Sequence, residues 1–138
     1  MDTIVLKGRK IVGGKVQGEA LVSREDICFL SVDCEHGIIT ERNHELEGVS
    51  FAGKILVYPS GKGSTGGSYT LYDLARHNVA PKAIINFKAE PITATGAIIA
   101  EIPMIDKVDN DLLGLIETGD VIDLDAAQGK ALVYKKSV

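Results

Sequence analysis

Cysteine is scarce in this chain of 138 residues: only Cys28 and Cys34 occur. A lone C-x5-C pair does not match a zinc signature, and two thiols cannot ligate a four-iron cluster, so any metal would need ligands from elsewhere. Cys28 lies in the apolar run ICFL, which reads as a buried strand with the thiol as a small core hydrophobe. Basic runs are missing as well, and the formal net charge is -4. Nucleic acid and anionic membrane, both bound through dense Lys/Arg patches, are therefore not expected as partners. No window of about 18 uncharged apolar residues occurs, and the opening MDTIVLKGRKIVGG has no charged leader followed by a long apolar core. Neither a membrane span nor a signal peptide is expected, which predicts a cytoplasmic protein. Repeats, low-complexity tracts and linkers are also absent. With 45% hydrophobic residues, the chain has the apolar content of one globular domain, 1–138.

The first third reads as mostly β. Residues 3–6 and 15–22 are strand-like around a Gly13-Gly14 turn, 25–31 is a further strand candidate, and 37–40 a possible one. The continuous apolar run ILVY at 55–58 predicts a buried parallel strand. After a glycine-rich loop, Leu71, Leu74 and Ala75 share one helical face, with stop signals at Asn78 and Pro81. Alternation then continues: strand 83–87, small-residue helix 92–101, short strand 102–105 and helix 110–117. Parallel α/β order follows. The segment VIDLDAAQGKALVY predicts a terminal hairpin forming an antiparallel pair at the sheet edge.

The loop PSGKGSTGGS between the strand and the first helix is where chemistry is expected. Backbone N–H groups at a helix start are unpaired and the dipole end is positive, which suits an anion. The loop is not a P-loop, because Lys62 is followed by Gly63 and no glycine stands four residues before Gly61. Gly61-Lys62-Gly63-Ser64-Thr65-Gly66 matches G-x-G-x-x-G formally, but no matching acidic residue follows at the distance that fingerprint requires. A G-x-S-x-G elbow is one residue short. His36 and His44 read as solvated loop residues, and His77 as a cation at a helix C-terminus. The competing structural reading is a Gly/Ser turn with Ser68 as helix N-cap.

The runs GKILVYPSGKGSTGGSYTLYDL and VAPKAIINFKAEPITATGAIIAEIPMID, with KGRKIVGGKVQGEALVS before them and TGDVIDLD after, resemble the swivel domain of the aconitase X branch of the aconitase superfamily. This resemblance spans nearly the whole chain. It implies a swivelling β/β/α domain that closes over a separate cluster-bearing body, so the chain would be the small subunit of a heterodimeric archaeal enzyme. The implied reaction is dehydration of mevalonate 5-phosphate to trans-anhydromevalonate 5-phosphate, in the mevalonate route of isoprenoid biosynthesis. The family serine maps onto Ser64, proposed to take the proton next to the carboxylate. Ser60 and Ser68 compete for that role. Lys62, Gly63, Thr65, Gly66, Gly67 and Ser68 are the expected substrate-binding residues, no metal ligand is expected in this chain, and a [4Fe-4S] cluster is expected on the large subunit. A serine alkoxide requires several donors and a positive field, which Lys62, the N–H groups of Gly66 and Gly67 and the helix terminus would provide. Alternative readings are a non-catalytic phosphate-binding module, a swivelling interaction module, and a dehydratase of another hydroxy acid such as a hydroxyproline isomer.

Overall fold

The computed structural model describes residues 3–62, 67–109 and 111–136. Its strands are β1 (Thr3–Lys7), β2 (Arg9–Val12), β3 (Lys15–Val22), β4 (Val32–Asp33), β5 (Ile38–Ile39), β6 (Ile55–Tyr58), β7 (Ala83–Asn86), β8 (Met104–Asp106), β9 (Val121–Asp125) and β10 (Lys130–Tyr134). The helices are α1 (Gly67–Arg76), α2 (Pro91–Ala100) and the single turn α3 (Leu112–Leu115).

Among the described residues, eight strands form one sheet in the order β1-β10-β9-β3-β6-β7-β8-β2, and β4 pairs only with β5. The long strand β3 belongs to two halves. Its first part, residues 15–19, pairs antiparallel with β9, and residues 20–22 pair parallel with β6. Beyond β6 the pairing stays parallel through β7 and β8, and β2 closes antiparallel on β8. The two edge strands β1 and β2 are separated in the chain by Gly8 alone, so the sheet must bend back on itself. A Cβ on Gly8 would stand 2.5 Å from the Asp106 carbonyl oxygen, which explains glycine at that corner.

Side chains alternate between two apolar layers, as strand geometry requires. Ile55 and Val57 of β6 and Ala83 and Ile85 of β7 face inward to meet Leu6, Ile122, Leu124 and Val133. Leu56, Tyr58 and Ile84 face the other way, onto Leu71 and Leu74 of α1 and Ala97 of α2. The result is a β/β/α stack, and burial on both faces is why ILVY has no polar alternation.

Most expected elements are present, with shifted ends. Three expectations are corrected. The run at 25–31 is not a strand: Ile27 makes a single bridge to Gly61, and Ser31 N donates to the Cys28 carbonyl in a turn. Phe29 instead plugs the helix-side core, edge-on to Phe51 and Tyr58 with centroids 6.0 and 6.3 Å away. Cys28 is accordingly half-buried in a turn, not in a strand. The hairpin β9-β10 is interior, because β1 covers its outer side. The helix expected over 110–117 is reduced to one turn, its N-cap Asp111 accepting from Gly114 N; residue 110 lies outside the described residues. An unanticipated strand, β2, carries Arg9 and Lys10 exposed on the sheet edge, where charge blocks further pairing.

Candidate active site

Because β3, β6, β7 and β8 run parallel, Val22, Tyr58, Asn86 and Asp106 end at the same side of the molecule. In open α/β sheets ligands bind beyond these carboxyl ends. The glycine loop leaves from Tyr58 and enters α1 at Gly67. Its start is clamped from both flanks. On one side the Pro59 carbonyl accepts from Phe87 N (3.0 Å) and Lys88 N (3.1 Å); on the other, Ile27 N donates to the Ser60 carbonyl (3.2 Å) and Lys62 N to the Ile27 carbonyl (3.0 Å). Gly61 rests against the first turn of α2. A Cβ there would lie 2.2 Å from Thr93 Oγ1 and 3.1 Å from Glu90 Oε1, so no side chain fits.

That turn of α2 is itself a capped anchor. Glu90 is the N-cap, accepting from Ile92 N (2.7 Å) and Thr93 N (3.1 Å), with Pro91 at the first helical position. The Thr93 hydroxyl donates to Glu90 Oε1 at 3.2 Å. Beneath the loop, Asn86 is fully buried and its Nδ2 donates to the Tyr58 carbonyl (3.1 Å). Among the described residues Asn86 Oδ1 and the Tyr58 hydroxyl have no hydrogen-bond partner, and burial drives the Tyr58 pKa upward.

Of the residues expected at the site, Lys62 is engaged: Nζ donates to Glu41 Oε2 at 2.8 Å. This bond is the main reason its pKa is raised, with the charges of Glu41, Cys28 and Glu25 adding to it and partial desolvation opposing. Gly67 opens α1 at ordinary contact distance from Ile92 and Phe29, 3.6 and 3.9 Å from its would-be Cβ. Ser68 is not the cap expected of it. It is the second residue of α1, and its hydroxyl donates across to the Ile92 carbonyl of α2 (2.9 Å). Ser60 contributes its carbonyl to the clamp. Gly63, Ser64, Thr65 and Gly66 lie outside the described residues.

The histidines divide. His77 Nδ1 contacts the Asp73 carbonyl (2.8 Å) in the last turn of α1, a capping role. His36 is exposed beside Asp33 (2.9 Å), which raises its pKa. His44, expected to be solvated, is buried: Leu46 N donates to its Nδ1 (3.0 Å), so Nε2 carries the proton and donates to the Asp26 carbonyl (3.0 Å). Cys28 and Cys34 are free thiols, and burial with Asp73 and Asp33 pushes Cys34 upward. Among the described residues no three His, Cys, Asp or Glu side chains converge to hold a metal ion.

Glu41 and Asn86 escaped sequence reading, because nothing in local spacing marks a polar residue whose partner lies many residues away. The cap Glu90 and the proline that follows it also escaped, since the helix was expected from residue 92.

Comparison with known proteins bears directly on this geometry. The family described as "Aconitase X swivel domain" matches residues 5–134. The phosphomevalonate dehydratase small subunit of Thermococcus kodakarensis is 55% identical over 131 residues, covering 94% of this chain and 96% of that protein. The phosphomevalonate dehydratase small subunit of Methanosarcina acetivorans is 48% identical over 130 residues, covering 94% and 90%. A crystal structure of the holo-form of aconitase X from Thermococcus kodakaraensis superposes with a TM-score of 0.90 at 52% identity, covering 96% of this chain and 99% of the matched chain.

Proposed function

The chain belongs to the aconitase X swivel-domain family, and on that premise we propose that it is the small subunit of an archaeal phosphomevalonate dehydratase. It is a hydro-lyase component that works with a larger subunit, and its substrate is mevalonate 5-phosphate, which loses water to give trans-anhydromevalonate 5-phosphate. The observation that carries this reading is the clamped glycine loop. Its entry is fixed by Ile27, Phe87 and Lys88 at the carboxyl ends of the parallel strands, and its exit is the N-terminus of a ten-residue helix.

Ser64 is assigned the role of base toward the carbon next to the substrate carboxylate. A serine hydroxyl is too weak an acid to act alone, so the alkoxide must be held by donors and positive charge. The donors we assign to that task are the N–H groups opening α1, including Gly67, and the Lys62 ammonium. The alternative task for the same donors is to hold the substrate carboxylate or phosphate. Departure of the hydroxyl requires Lewis-acid assistance, which a [4Fe-4S] cluster on the large subunit would supply. This chain's part is proton removal, anion binding and closure over the partner.

Co-expression with the large subunit under anaerobic conditions, with assay of mevalonate 5-phosphate and a hydroxyproline isomer, tests the reading. Turnover of the phosphorylated acid is expected only in the complex. Ser64→Ala should lower kcat by roughly 10²- to 10⁴-fold, the range of a general acid–base group, with little change in KM. Ser68→Ala removes one hydrogen bond between helices and should cost about 1 kcal/mol of stability with a small kinetic effect. Turnover by the isolated chain, or a normal kcat in Ser64→Ala, would refute the corresponding assignment.

A further inference from the structure

We propose that Glu41 is a positioning residue for the reaction: it fixes where the Lys62 ammonium stands and neutralises it until a substrate anion arrives. The inference rests on the reading that Lys62 meets the substrate, and adds a residue that no part of that reading names.

Lysine carries its charge on a flexible four-carbon stem, so an unrestrained Lys62 would sample many positions at the loop mouth. Here it is held at both ends. Its backbone N–H is bound to the Ile27 carbonyl, and its Nζ to Glu41 Oε2 at 2.8 Å. Glu41 is in turn mounted on a stiff support. The 41–47 turn that it begins is closed by His44 N on the Glu41 carbonyl (3.3 Å) and pinned by buried His44 to the Asp26 carbonyl. Glu45 N donates to Glu25 Oε2 (2.5 Å) and Arg24 N to Glu45 Oε2 (2.8 Å). The same 24–27 segment that clamps the glycine loop therefore also carries the Glu41 turn, so loop entry and counter-ion share one support.

The pair is asymmetric. The Glu41 side chain is 26% exposed, whereas that of Lys62 is 44% exposed. Among the described residues no donor reaches the buried Glu41 Oε1, and Lys62 is the cation paired with its carboxylate. An ammonium has three N–H groups; one goes to Glu41, and the outward exposure of Lys62 leaves the others for an incoming carboxylate or phosphate. The charge of Glu25 adds to that of Glu41 in favouring the protonated ammonium, so the surroundings of Lys62 are net acidic. An anion therefore binds by directed hydrogen bonds and not by excess positive charge, which disfavours small anions that cannot also use the loop.

Removing the Glu41 charge should push two observables in opposite directions. In the reconstituted complex, Glu41→Gln frees the ammonium, and kcat should fall about tenfold or more, as expected when a catalytic contact is misplaced by an ångström. Inorganic phosphate should inhibit the same variant several-fold more strongly, an effect that fades in high salt as a gain in net positive charge must. Glu41→Asp keeps the charge and should recover part of kcat and normal phosphate sensitivity. Acylation of Lys62, followed by mass spectrometry at fixed pH, should be faster in Glu41→Gln than in wild type, a readout independent of turnover. A kcat and phosphate inhibition both within twofold of wild type, or a loss of both together with a fall in Tm that Asp does not rescue, overturns the proposal. Lys62→Ala separates the layers: if it impairs turnover while Glu41→Gln is silent, Glu41 alone is wrong; if Lys62→Ala is itself silent, the role of Lys62 and this inference fall together.

Discussion

Gly61 and Gly67 flank the candidate site and have opposite reasons to exist. At Gly61 the neighbour is the fixed first turn of a capped helix, with Thr93 Oγ1 2.2 Å from where a Cβ would be. Gly67 has only ordinary contacts, at 3.6 Å and beyond, and lies within a helix. In a helix glycine is worth about 0.5–1 kcal/mol less than alanine. Gly67→Ala should therefore hold or raise Tm, while Gly61→Ala should lower it and displace the loop entry. Thr93→Ala removes the offending oxygen, so the double variant Gly61→Ala/Thr93→Ala should recover more stability than additivity predicts. Thermal melts of the four proteins decide the matter, and equal effects of the two alanines would contradict it. The glycine count of the loop was visible in the sequence; which glycine is required by packing was not, since Thr93 is 32 positions away from Gly61.

At the scale of elements, the glycine loop depends on how α1 is seated. It packs on α2 through Gly96, where a Cβ would approach Leu71 Cδ1 to 2.8 Å and the Ser68 Cα and carbonyl oxygen to 3.1 Å. Two of these three neighbours are backbone atoms of the first turn of α1, which cannot rotate away. Gly96→Ala should thus shift the start of α1 and lower kcat in the complex, even though Gly96 touches no substrate. Gly114→Ala is the control, since its would-be Cβ meets the flexible Asp111 carboxylate at 2.8 Å and the change lies on α3. A normal kcat in Gly96→Ala would mean that α1 seating does not govern the loop. Helices and parallel strands were largely legible because their apolar periods differ and both faces of ILVY are buried. The 25–31 run misled for a physical reason: Ile27 and Phe29 alternate with less buried residues as in a strand, yet they fill a core gap from a turn. A side-chain pattern reports burial, not a hydrogen-bond ladder. Glu41 was illegible for the complementary reason, as its partner is fixed only by tertiary packing.

At the scale of the whole molecule, the two sheet halves are joined at the middle of β3, and Asp120 is built into that joint. Its backbone carbonyl accepts from Ala20 N (2.8 Å), at the residue where β3 passes from β9 to β6. The fully buried carboxylate accepts from Glu117 N (2.8 Å), Lys136 N (2.9 Å) and Lys135 Nζ (2.5 Å), tying the end of β10 to the same joint. Burial alone would raise the Asp120 pKa, but the Lys135 ammonium and the two N–H donors outweigh it and hold the pKa below the usual carboxylate value. The Lys135 pKa is raised: its own desolvation is overcome by Asp120 and Glu117. A depressed carboxylate stabilises the fold above its unfolded pKa, about 3.9 for Asp, and loses that contribution as pH falls through the lower folded value. A raised lysine contributes fully below its unfolded value, about 10.4, and loses the contribution as pH rises through the folded one. Asp120→Asn has neither the charge nor the linkage. The Tm gap between wild type and Asp120→Asn should therefore be widest between about pH 5 and 9, and close towards pH 2 and again above pH 11, when melts are followed across that range. A gap independent of pH would show that Asp120 acts at the joint through shape and neutral hydrogen bonding alone.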